Sequence, residues 1–143
     1  MTLIQVTTDR LGMAEHLAAV DDEHCGAVVS FIGQVRNHDA QAPGTVTAIE
    51  YSAHPDAQTV LRALIQEIAA GGDGSPQHVV RIAASHRVGH LEVGDLALVV
   101  CVATAHRQQA YEISSAVVER IKVELPIWKK QHTADGTSHW SGL

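Results

Sequence analysis

Apolar and polar positions alternate along this chain with two different periods, and the switches between them mark out its elements. Leu3–Val6 is a short apolar strand candidate. Thr8-Asp9 is placed to cap a helix that follows through Leu11, Ala14, Leu17 and Val20. Gly26–Val35 (GAVVSFIGQV) is rich in β-branched residues and reads as a buried strand, with Gly33 marking a bulge or a close backbone approach. A polar loop from Arg36 to Gly44 leads into an alternating strand at Thr45–Tyr51. Pro55 suits the first turn of a second helix, whose apolar stripe is Val60, Leu61, Leu64, Ile65 and Ile68.

The stretch Gly71-Gly72-Asp73-Gly74-Ser75-Pro76 breaks the pattern as a surface loop. His78–Ala84 and Leu96–Ala103 are apolar strands, separated by turns supplied within Gly89–Asp95. Thr104 can cap a third helix with Ala110, Ile113, Val117 and Ile121 on one face. That helix stops at Leu125, because Pro126 disfavours helical geometry in the residue before it. Ile127–Gln131 is compatible with an extended strand, followed by a turn at Ala134-Asp135-Gly136. Strands mixed with about three helices indicate an α+β fold.

Composition narrows the classes. The 143 residues suit one domain, residues 1–143, and a 45% hydrophobic content excludes intrinsic disorder. Aromatic residues make up 3%, too few for a base-stacking platform, and the net charge of −6 argues against a phosphate-backbone binder; no nucleic acid is expected as a partner. No stretch approaches the roughly 18 apolar residues of a membrane span, and the first residues lack a signal-peptide pattern. The expectation is a cytoplasmic protein with no membrane partner.

Charge is uneven: residues 1–105 carry a net −7, whereas residues 106–143 carry +1 and all three lysines. A basic spot on an acidic protein points to a small anion rather than a polyanion. Thr104-Ala105-His106-Arg107 could hold such an anion at a helix N-terminus, although many helices simply begin with polar residues. Lys122 falls in the last turn of the same helix, where a dipole-capping role also fits. In Trp128-Lys129-Lys130, an extended chain would send the two amines to opposite faces, so at most one should face a shared pocket. Arg36 is either a substrate clamp or a solvated loop arginine. The ten histidines form no ligand motif, Cys101 sits in an apolar run as a small core residue, and neither a phosphate loop nor an activated cysteine is present; no metal or cofactor is expected.

Several blocks together resemble one known family. Gly26–His38 (GAVVSFIGQVRNH), His86–Gly89 (HRVG), Val93–Asp95 (VGD), Ala105–Arg107 (AHR) and Lys122–Lys130 (KVELPIWKK) are similar, in order, to the large, catalytic subunit of molybdopterin synthase. The resemblance implies the α/β-hammerhead fold and a sulfurtransferase of molybdenum cofactor biosynthesis. Sulfur would pass from the C-terminal Gly-Gly thiocarboxylate of a small ubiquitin-like subunit to cyclic pyranopterin monophosphate (precursor Z), forming the dithiolene of molybdopterin. It also implies a homodimer of large subunits inside a heterotetramer.

Carried over by position, the resemblance places pterin and phosphate contacts on Gln34, Val35, Arg36, His106, Arg107 and Lys122, with Lys129, Lys130 and Gln131 near the partner's tail. A lysine desolvated beside Trp128 could move protons; that role falls to Lys129 and an electrostatic one to Lys122. His106 and Lys122 are 16 residues apart on one expected helix, about 24 Å along its axis. The expectation is therefore a composite pocket, with His106 and Arg107 supplied by a second large subunit. The alternative from another class is a non-catalytic small-anion-binding regulatory or scaffold protein. A histidine-rich metal binder is a third reading.

Overall fold

The computed structural model describes residues 2–72 and 75–143. Eight strands form two four-stranded sheets. In the first, β1 (Ile4–Thr7) runs parallel to β4 (Val80–Arg87), which is antiparallel to β6 (Leu96–Thr104), which is antiparallel to β2 (Ala27–Gln34). The second is antiparallel throughout, in the order β5 (Gly89–Glu92), β3 (Val46–Ala53), β7 (Ile127–Thr133), β8 (Ser138–Gly142). Only Val88 separates β4 from β5, so the chain passes almost directly from one sheet to the other.

Three helices cover the first sheet. α1 (Met13–Ala19) lies against the face carrying Val99, Cys101 and Ala103. On the other face, α2 (Ala57–Ala69) and α3 (Arg107–Glu124) pack on Leu98, Val100 and Val102. Helix α3 buries Ala110, Ser114, Val117, Val118 and Ile121, the spacing of a helical stripe. It ends as its sequence dictates: Leu125, before Pro126, is extended at φ −72°, ψ 122°. The same core cluster takes in Leu125 and Ile127, and so ties the second sheet to the first.

Several elements differ from the sequence reading. α1 begins at Met13 with Gly12 as N-cap, and Thr8-Asp9 lies well outside it. Thr104 does not cap α3; it ends β6 and donates its hydroxyl to the His106 carbonyl at 2.7 Å, while His106 is the N-cap. His78 belongs to a short 3-10 turn (Pro76–His78), and β4 starts two residues later. Gly89–Glu92 is a strand rather than part of a turn, and β7 and β8 form a hairpin around the expected turn, where Gly136 takes φ +84°. Asp73 and Gly74 of the expected surface loop lie outside the described residues.

The two edges of the first sheet are treated differently. At β1, the Gln58 side chain of α2 accepts from the Val6 N–H and donates to the Ile4 carbonyl, both at 2.8 Å, and so occupies the edge as a strand would. At β2 no such cover exists among the described residues. The apolar sequence of β2 predicts a buried strand, yet Val28, Phe31 and Ile32 are 48%, 36% and 43% exposed. The register shift at Gly33/Gln34 is the irregularity that Gly33 signalled.

Candidate active site

On β7 the side chains alternate, and this sorts the basic residues. Ile127, Lys129, Gln131 and Thr133 turn inward, whereas Trp128 and Lys130 turn outward. Lys130 reaches over the exposed Trp140 ring, 5.6 Å from its centroid. Gln131 is fully buried, bonded to Ser141 at 3.4 Å, and its Oε1 has no hydrogen-bond partner among the described residues. Of the two adjacent lysines, only Lys129 faces the interior.

Lys129 stands opposite Tyr51 of β3. Its ammonium meets the Asp39 carboxylate at 3.0 Å. Burial alone would raise the Asp39 carboxyl, but the Gln41 N–H, the Lys129 ammonium and the nearby Arg36 outweigh it and hold Asp39 below the usual carboxylate range. Tyr51 in turn meets the His86 ring edge-on, with centroids 5.0 Å apart. Burial, reinforced by the Asp39 charge, pushes the Tyr51 hydroxyl up to about 12.

His86 is 1% exposed at the end of β4. Its Nδ1 donates to the Arg87 carbonyl at 2.8 Å, which leaves Nε2 as an acceptor, buried and without a partner among the described residues. Burial, with the Lys122 charge adding to it, pushes His86 down to about 4, so the ring is neutral near pH 7. Lys122 itself meets solvent along much of its length, but desolvation of its amine and the like charge of Lys129 lower its pKa from the ordinary lysine value. The expectation of a lysine desolvated beside Trp128 is thus corrected: Trp128 lies on the other face of β7 from Lys129, and Lys122 is the lysine whose pKa desolvation lowers.

Arg36, Asp39, Tyr51, His86, Lys122 and Lys129 therefore act on one another although they come from a loop, three strands and a helix end. Lys122 also lines a cleft of about 440 Å³ with Gln41, Trp128 and Leu143. Two amines and a guanidinium can hold phosphate or carboxylate oxygens, and a neutral imidazole can accept a proton.

The remaining sequence candidates are distributed as follows. Gln34 is exposed at the end of β2. Val35 is 3% exposed in a small core cluster, and its backbone N–H and carbonyl already pair with Asp95 and Gly94; it positions Arg36 and offers no side chain to a ligand. His106 and Arg107 open α3, at the opposite end of an unbroken helix from Lys122. Asp39, Tyr51 and His86 were missed as site members. Each reaches the cluster through a cross-strand or cross-sheet contact that local patterning does not encode. The described His, Cys, Asp and Glu residues form no group of three placed to hold a metal.

The chain and its fold are similar to known proteins. The model of the MoaE protein family matches residues 6–124. Molybdopterin synthase catalytic subunit 1 of Mycobacterium tuberculosis is 36% identical over 96% of this chain and 89% of its own. The crystal structure of molybdopterin synthase from Staphylococcus aureus superposes with a TM-score of 0.86 at 30% identity, covering 100% of this chain and 99% of that one. At 19% identity and a TM-score of 0.70, the complex of subunits 1 and 2 of molybdopterin-converting factor from Helicobacter pylori shares the fold over 98% of this chain and 88% of that one. A non-catalytic scaffold does not fit a match of this extent. A chain that carries the family pattern from β1 to the end of α3, on the fold of a solved synthase, belongs to the MoaE family: it is a molybdopterin synthase catalytic subunit, an enzyme of molybdopterin biosynthesis.

Proposed function

We propose that this chain, working as one domain of residues 1–143, transfers sulfur from the thiocarboxylated C-terminal glycine of a small ubiquitin-like subunit to cyclic pyranopterin monophosphate. The observation that carries the reading is the convergence of Arg36, Lys122 and Lys129 on one cluster in an otherwise acidic protein. A thiocarboxylate and a cyclic phosphate are both anions, and fixed cations that bring them together lower their mutual repulsion before any bond forms. The thiocarboxylate sulfur attacks an electrophilic pterin carbon and the C–O bond at that carbon breaks, the oxygen leaving with the electron pair and taking up a proton, which gives an acyl thioester. Water then cleaves the acyl–sulfur bond, so sulfur stays on the pterin and the tail leaves as a carboxylate.

Within this reading Lys129 holds the tail, and Lys122, whose lowered pKa eases proton exchange, serves the oxyanion formed during acyl transfer. Arg36 takes the phosphate, with Gln34 at the margin, whereas Lys130, turned outward over Trp140, and the fully buried Gln131 stay clear of the substrate. The Helicobacter structure contains a complex of two different subunits, which supports a small partner for this chain too.

A second large subunit would complete the pocket. Ala27 pairs with Thr104, so β2 begins beside the start of α3, and it ends at Gln34, next to Arg36. Antiparallel pairing of two open β2 edges about their midpoint sets Ala27 of one chain opposite Gln34 of the other. His106 and Arg107 of the partner would then approach the first chain's Arg36. The uncovered edge and exposed Val28, Phe31 and Ile32 support this pairing.

The test is to incubate the protein with thiocarboxylated small subunit and the pterin precursor and to follow sulfur in the product. Transfer of two sulfur atoms per pterin is expected. A stable complex that leaves the pterin unsulfurated would overturn the proposal.

A further inference from the structure

Asp39 has no part in the mechanism above, yet it occupies the cation assigned to the incoming tail. Its contact with Lys129 is mostly withdrawn from water, the two side chains being 17% and 18% exposed. Such a pair is costly to break unless another anion replaces the one removed. Asp39 is also held from its own side. Its Oδ1 accepts the Gln41 N–H at 2.8 Å, its carbonyl accepts the Ala42 N–H at 3.1 Å, and Ala42 is 4% exposed against Val35, Val46 and Ile49. The loop after Arg36 thus folds into a tight turn that delivers a carboxylate to Lys129. Gln41 of the same turn lines the cleft onto which Lys122 opens, so the turn that neutralises one lysine borders the approach to the other.

We propose that Asp39 is a carboxylate placeholder: it neutralises Lys129 in the resting subunit and is exchanged for the anionic end of the arriving peptide, which makes the site selective for a charged tail. The proposal rests on the tail-docking part of the function given above. A peptide ending in a neutral group cannot replace the charge on Lys129, so it leaves the Asp39–Lys129 pair closed and binds without the ammonium. A carboxylate or thiocarboxylate restores the pair, and the released Asp39 stays within the field of Arg36. No bond is made or broken; one anion replaces another.

The test uses calorimetric titration of the full chain with a short peptide ending in Gly-Gly carboxylate and with its C-terminal amide. Asp39→Asn keeps an oxygen for the Gln41 N–H but removes the competing charge. It should raise affinity for the carboxylate peptide about tenfold, the scale of one charge-assisted hydrogen bond, and leave the amide unchanged. In a Lys129→Gln background the same substitution should have no effect on either peptide. Unchanged or weakened carboxylate binding in Asp39→Asn, with the wild-type preference for carboxylate intact, would overturn the exchange alone. Failure of every variant to bind either peptide would overturn tail docking and the exchange with it.

Discussion

Arg107 and Lys122 stand at the two ends of one uninterrupted helix, 15 residues and therefore about 22 Å apart along its axis. A single pterin cannot bridge that distance, so one chain cannot bring both residues to one substrate. β2 is 8 residues long, about 26 Å. Its two ends sit beside the two groups in question, which makes strand pairing between chains a direct way to join them.

Charge on the open strand should therefore disable the enzyme without unfolding it. Val28→Lys combined with Ile32→Lys places two ammonium groups on exposed positions, where surface substitutions shift stability by only about 0.5 kcal/mol. Sedimentation should show monomers with unchanged circular dichroism and loss of sulfur transfer. Active monomers would refute the two-chain pocket.

Lys122 should matter for charge and for its lowered pKa. Lys122→Ala is expected to reduce turnover by about 10²–10³, the usual cost of removing one donor to a developing anion. Because the amine of Lys122 loses its proton at lower pH than an ordinary lysine, binding of inorganic phosphate should weaken as pH rises through that lowered value. Lys122→Arg, which stays charged, should remove this limb of the pH profile.

His86 makes a prediction about stability. Its folded-state pKa, about 4, lies below the unfolded value of 6.5, so the unfolded chain binds more protons between those two values. Stability should rise with pH across that window and be lost on acidification toward pH 4, with a total on the order of 3 kcal/mol. Urea titrations from pH 7 to 4 should show the slope, and His86→Phe should flatten it. An unchanged slope in the variant would remove His86 as its source.

What the sequence disclosed depended on how local the determinant was. Pro126 stops α3, Gly33 marks the register shift, and the two-residue period of an extended strand separates Lys129 from Lys130; each of these acts through its immediate neighbours. The Asp39–Lys129 pair joins positions 90 residues apart, and the Tyr51–His86 contact forms only because the chain crosses between sheets after β4. No periodicity encodes either one. β5 was hidden for another reason: its four residues begin at Gly89 and are followed closely by Gly94, both with positive φ, so the turn signals mask it. The apolar sequence of β2 reads as buried, although nothing in the described residues of one chain covers its edge.

In the proposed dimer, a working pocket takes its cations from two chains. Mixing an inactive His106→Ala variant with an inactive Lys122→Ala variant, under conditions where subunits exchange, tests this most directly. A mixed dimer has one pocket with both defects and one with neither, so sulfur transfer should recover to about a quarter of the wild-type rate with random exchange. No recovery, with mixed dimers present by mass, would contradict the claim.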